Sequence, residues 1–138
     1  MKIIPTVAVL FFLSFSVVTA QPAEAPSVKI EIPIHKITVE DKILTTFNDR
    51  RMVAVFHCES GLKQFDKNGN PKMSPTHDVG IGQVNQVHWK RAKKLGLDVF
   101  NSVDDNLKMS KIVYDEQGIE AWTVYKSKCY NNYLNSIS

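Results

Sequence analysis

Val55-Phe56-His57-Cys58-Glu59-Ser60-Gly61 reads as the last turn of an apolar helix that carries a carboxylate and is stopped by a glycine. Across residues 43–56, polar and apolar positions alternate at roughly helical spacing. Met52, Val55 and Phe56 precede Glu59 by seven, four and three positions, so a helix puts them on Glu59's own face. Gly61 supplies the left-handed residue that commonly closes a helix. An anion at Glu59 is then disfavoured twice, because apolar neighbours desolvate it and the helix dipole is negative at that end. Both effects raise its pKa, which a general acid working near neutral pH requires. Taken alone, the stretch reads more readily as an ordinary exposed glutamate at a fraying helix end.

Working outward toward the N-terminus, the chain opens on Lys2 and an apolar run over residues 3–18. It then reaches Val18-Thr19-Ala20, a small-residue site suited to signal peptidase. Pro5, Ser14 and Ser16 break the run, which is too short for a firm membrane span. Residues 1–20 are expected to be a secretory signal peptide cut after Ala20, with an uncut anchor as the alternative. Pro22, Pro26 and Pro33 argue against a helix over residues 21–40. That segment is expected to be a tether, with an extended piece near residues 28–32. The domain itself is placed at 41–131 and a C-terminal tail at 132–138, one small unit with a single core.

Charge narrows the partner class only slightly. Lys and Arg number 17 against 14 Asp and Glu, and removing Lys2 with the signal leaves 16 against 14, a net charge of +2. That is too mild to argue for nucleic acid. It suits a weakly anionic polymer outside the cell. Cys58 and Cys129 are the only cysteines, and export places them in an oxidising compartment. A disulfide between them is the economical reading, and it ties the C-terminal part of the chain to the residue beside Glu59. In the chain-entropy model such a loop contributes roughly 4 kcal/mol. A reactive thiol has no visible activating base, and two cysteines fall short of the four ligands that zinc usually takes.

The first helix is expected over residues 41–60. Residues 62–79, with Gly69, Pro71 and Pro75, read as a loop or small irregular lobe of the kind that is usually functional or disordered. Asp66-Lys67-Asn68-Gly69-Asn70 resembles the start of a calcium loop, but the sixth position is Pro71 and the twelfth is His77, so a polar turn suffices. A helix follows over residues 86–95, and its Lys90, Arg91, Lys93 and Lys94 form a solvated face or a weak anion-facing patch. Ser102-Val103-Asp104-Asp105 is an N-cap with acids in the first turn, starting a helix that stops at Gly118. A short helical segment over 120–125 leads toward Cys129. The fold class is therefore mainly α, with a small irregular or β-like loop lobe.

Nineteen residues after Glu59 comes Asp78-Val79-Gly80-Ile81-Gly82-Gln83-Val84-Asn85. Two glycines let the backbone pass close to a ligand or a neighbouring helix. A locally extended turn would point Gln83 and Asn85 the same way, and amides that donate and accept suit sugar hydroxyls and N-acetyl groups. A purely structural turn is the competing reading.

Together these stretches resemble the lysozyme-like superfamily, in particular the lytic transglycosylase (SLT-type) domain. The family's Glu-Ser-Gly is matched by Glu59-Ser60-Gly61, and its Gly-Leu-Met-Gln-apolar-Asn block by Gly80-Ile81-Gly82-Gln83-Val84-Asn85. Its Leu-Gly-Leu-Asp and "Asn-Leu" helix start are matched by Leu95-Gly96-Leu97-Asp98 and Asn106-Leu107, and its Gly-x-x-x-Trp-x-x-Tyr pattern runs from Gly118 to Tyr125. The resemblance covers about residues 45–129. It implies a lysozyme-like fold, Glu59 as catalytic acid/base, and Ser60, Gln83, Asn85 and Tyr125 as substrate contacts. The chain departs from the family after Tyr125, where Lys126-Ser127-Lys128-Cys129 replaces Asn-Ala-Gly.

Animal-type lysozymes carry an Asp two residues before the Gly of the same block, and here that place holds Asp78. In those enzymes the second carboxylate stabilises or attacks the sugar cation and gives hydrolysis with retention. Lytic transglycosylases use one Glu and let the sugar's own C6 hydroxyl attack, leaving a 1,6-anhydro end. Asp78 is also readable as a loop cap. His57 faces another side of the helix from Glu59, and packing is its expected job. His77 and His88 have no ligand spacing. The resemblance implies an exported monomer that cuts the β-1,4 bond between N-acetylmuramic acid and N-acetylglucosamine in peptidoglycan glycan strands, with no metal or cofactor. A catalytically weak wall-binding module serving a cell-envelope assembly partner is the alternative of a different class.

Overall fold

Thr38 starts the first helix. Its hydroxyl accepts from the Asp41 N–H at 3.1 Å while the Asp41 carboxylate accepts from the Thr38 N–H at 2.8 Å, a reciprocal capping box. Helix α1 then runs Val39–Phe47 and buries Ile43 and Phe47, four apart on one face. Helix α1 thus starts two residues before the helix expected from residue 41. The computed structural model describes residues 36–137, which belong to one compact unit. The expected signal peptide and the tether as far as residue 35, with its extended piece, lie outside the described residues.

The single helix expected over 41–60 is two. Asn48 adopts left-handed φ 50° and closes α1 by donating its N–H to the Leu44 carbonyl at 2.8 Å. Asp49 then accepts from the Arg51 N–H at 3.0 Å and from the Arg51 guanidinium, and the Tyr114 hydroxyl donates to it at 2.8 Å. Helix α2 is Arg51–Ser60. Met52, Val53, Ala54, Val55 and Phe56 are all buried, so the middle of α2 is enclosed on every side and forms the axis of the domain. Phe56 meets Phe47 edge to face at 5.4 Å and Trp122 at 5.7 Å. Gly61 ends α2 at φ 67°, as its sequence position requires.

Residues beyond α2 form a loop lobe stitched by isolated bridges, Phe65 with Pro71 and Met73 with Val79. Asp66 accepts from the N–H groups of Asn68 and Asn70, which is a polar turn. A short antiparallel hairpin follows, β1 Asp78–Val79 and β2 Val84–Asn85, with Asp78 opposite Asn85. A 3₁₀ turn at Gln86–His88 leads into α3, Trp89–Lys94. Ser102 caps α4, Val103–Gln117, through the Asp105 N–H at 3.1 Å, and Gly118 stops it. The segment expected to be helical over 120–125 is a 3₁₀ turn at Ile119–Ala121 followed by turns. Helix α5, Lys128–Ser136, occupies most of the stretch expected to be a tail. It packs along α2, is bonded to it through Cys58–Cys129 with Cα atoms 6.0 Å apart, and stacks Tyr133 on His57 at 3.7 Å.

Two buried amides fasten the hairpin to the helices. Asn106, in the first turn of α4, donates to the carbonyls of Val79 and Val99 at 2.9 and 2.8 Å and accepts from the Gly82 N–H at 2.9 Å. Gln64 donates to the Val99 and Phe100 carbonyls and accepts from the Ile81 N–H. At Gly82 a Cβ would lie 2.0 Å from Ser110 Oγ, so only glycine lets the hairpin turn approach α4 this closely. The architecture of the described residues is mainly helical with one small sheet, as expected.

Candidate functional site

The end of α2, the hairpin, the middle of α4 and the turn after Gly118 enclose an open cleft of about 480 Å³. Glu59 and Asp78 both line it, with Gln83 and Asn85 from the hairpin. Trp122 and Thr123 form the wall contributed by the segment before α5. The two carboxylates, far apart in sequence, therefore face one space.

Their electrostatics differ in direction. Burial is the main cause that pushes the Glu59 carboxyl above its ordinary value, and the Asp78 charge adds to it, while a hydrogen bond from the Val124 backbone N–H opposes it. Burial also acts to raise Asp78. It is outweighed by side-chain hydrogen bonds from Thr76, Ser74 and Asn85, which hold that carboxyl below the usual aspartate range. Oδ2 accepts from Ser74 at 2.7 Å and from Thr76 at 2.5 Å, and Oδ1 accepts from the Asn85 amide at 2.6 Å. Asp78 consequently does both things its sequence position allowed: it caps its own loop, and it presents an anion to the cleft. One site holds a carboxyl biased toward its protonated form and another biased toward its ionised form.

The remaining expected contacts separate. Gln83 lines the cleft from a left-handed φ of 49°, with its Nε2 donating to the Gly80 carbonyl at 2.7 Å. Asn85 lines it too, but both ends of its amide are engaged, one by Asp78 and the other by the Val87 N–H at 3.1 Å. It positions Asp78, and its amide keeps a second N–H for another partner. Ser60 is wholly buried; its hydroxyl donates to the Phe56 carbonyl at 3.0 Å and accepts from the Lys63 N–H, closing the end of α2. That burial corrects the expectation of a substrate contact. Tyr125 stands outside the cleft lining, with its ring against Tyr130 at 5.2 Å and Lys126 Nζ over its face. The turn after Trp122 directs it to α5, so Trp122 and Thr123 take the place expected for it.

Trp122 was readable as part of a pattern but not as a wall. Its indole N–H donates to the Gly82 carbonyl at 2.8 Å, which fixes hairpin and wall to each other. Ser74 and Thr76 sit in what reads as featureless loop, and only the Ser/Thr pair flanking Pro75 hints at their grip on Asp78. Ser110 Oγ, at the cleft floor, is the one buried side-chain oxygen or nitrogen without a hydrogen-bond partner among the described residues. Among those residues no group of three or more His, Cys, Asp or Glu side chains is arranged to hold a metal ion, and no helix is long and apolar enough to cross a membrane. No family model, curated protein or solved structure matches the chain.

Proposed function

We propose that this chain is an exported glycosidase of the lysozyme-like class that cleaves the β-1,4 MurNAc–GlcNAc bond of peptidoglycan. The observation that carries the reading is the pairing in one cleft of a carboxyl raised by burial with one held ionised by three hydrogen bonds. Protonated Glu59 gives its proton to the glycosidic oxygen as the C1–O bond breaks. The Asp78 anion stabilises the positive charge that develops on the sugar. Glu59, now a carboxylate, takes the proton from the hydroxyl that attacks C1.

In the leading reading that hydroxyl is the sugar's own C6 group, and the product is a 1,6-anhydro end. The block order from Glu59 to Tyr125 supports this reading. So does the state of Asp78, because three donors draw on its lone pairs, which suits a fixed charge better than an attacking nucleophile. Retaining hydrolysis is the second reading, favoured by the presence of Asp78 in the same cleft as Glu59. The bridged Cys58–Cys129 pair is compatible with an oxidising, extracytoplasmic location. The direct test is Glu59→Gln, which keeps size and removes the proton donor. Release of glycan fragments from purified sacculi should fall by roughly two to four orders of magnitude with unchanged circular dichroism. A folded variant of near-normal activity removes Glu59 from the mechanism.

A further inference from the structure

Away from the cleft, a second concavity of about 580 Å³ opens between α3 and the loop that follows it, and the two share no lining residue. Its floor is apolar, built from Trp89, Leu97, Val99 and Phe100. It is also preformed. Trp89 and Phe100 pack edge to face at 4.9 Å, the Trp89 indole N–H donates to the Val84 carbonyl at 3.0 Å, and Gln64 pins the Val99 and Phe100 carbonyls. The proposed glycosidase chemistry makes no use of it.

Its rim carries charge in separate places. Lys90 and Lys93, three apart on α3, have no ion-pair partner among the described residues. The neighbouring Arg91 is neutralised by two hydrogen bonds to Glu116. Asp98, on the loop side, has its carboxylate engaged by the N–H groups of Phe100 and Asn101 and by the Asn101 amide. The groove therefore has these two unpaired cations on the α3 side and, on the loop side, an Asp98 anion whose oxygens are already occupied by amide donors.

We propose that this groove docks a protein partner through an extended acidic segment, one or two large apolar side chains flanked by Asp or Glu. The apolar side chains fill a floor that needs no reordering, which lowers the entropic cost of association. The flanking carboxylates pair with Lys90 and Lys93 and set orientation and encounter rate. An anionic bilayer fits less well: it engages a uniformly basic face, whereas the Asp98 carboxylate stands at this rim.

The test pans a displayed library of short random peptides on the full chain, with counter-selection on the Lys90→Glu/Lys93→Glu variant. Both lysines are exposed, so this variant should fold, and circular dichroism checks that it does. Enriched sequences should share an aromatic or large aliphatic residue with acidic neighbours. The best peptide, synthesised, should bind the double variant about ten-fold more weakly, weaken similarly in high salt, and bind Glu59→Gln unchanged. Four results each overturn the proposal: no enrichment, enriched sequences without acidic residues, equal affinity for the charge-reversed variant, or lysine-dependent binding to phosphatidylglycerol vesicles.

Discussion

At the scale of single residues, Glu59 and Asp78 make opposite demands on pH. The proposed cleavage requires Glu59 protonated and Asp78 ionised, so activity should fall on the alkaline side through the raised Glu59 value, which lies above 4.5. On the acid side it should fall through the lowered Asp78 value, below 3.8. Initial rates against pH check both limbs, and Asp78→Asn should erase the acid limb while lowering the rate by roughly two orders of magnitude. Stability carries the same information with its own sign. A carboxyl whose folded pKa is raised favours its protonated form, so its stabilising effect is complete below about pH 4.5 and is lost as pH rises through the raised value. Glu59→Gln should therefore melt higher than wild type at neutral pH, with the difference shrinking toward pH 4. Thermal scans at both pH values decide it, and a Gln variant that melts lower at neutral pH contradicts the burial argument. Asp78 works in reverse, contributing stability above pH 3.8 that is lost as pH falls through its lowered value.

At the scale of elements, the site depends on how the hairpin is held against α4. Asn106→Ala removes three buried hydrogen bonds at once and strands their backbone partners, so it should cost about 3 kcal/mol in urea unfolding. A loss under about 0.5 kcal/mol, the range of an ordinary surface substitution, contradicts the fastening role. This fastening also marks where the sequence stops being legible. Helix ends announced by local chemistry were readable: Gly61 after α2, Ser102 before α4 and Gly118 after it. The break after Phe47 was missed because apolar spacing runs on through Met52, although Asn48-Asp49 is a turn-and-cap pair that could have signalled it. Helix α5 was missed because its isolated sequence is polar and its helicity depends on packing against α2. In the site, Glu59 and Gln83 stand out by residue type and local pattern, whereas Asp78 is singled out only through the resemblance to animal-type lysozymes. The burial of Ser60, the turning away of Tyr125 and the grip of Ser74 and Thr76 are tertiary facts that no spacing carries.

At the scale of the whole molecule, the Cys58–Cys129 bridge joins residues 71 apart and fixes α5 beside the end of α2 that carries Glu59. Replacing both cysteines by alanine should lower stability by up to about 4 kcal/mol in the chain-entropy account. Guanidinium unfolding of the double variant measures it, and a change under about 1 kcal/mol contradicts a structural role for the bridge. The enclosed α2, the hairpin fastened by Asn106 and Gln64, and the Trp122 wall all converge on one cleft with two unlike carboxylates. The claim that this cleft cuts glycan strands is tested most directly by mass spectrometry of the fragments that the purified protein releases from peptidoglycan. The account predicts muropeptides with 1,6-anhydro ends from the wild type and essentially none from Glu59→Gln. Intact glycan after prolonged incubation with the wild type, or equal release by the Gln variant, contradicts it.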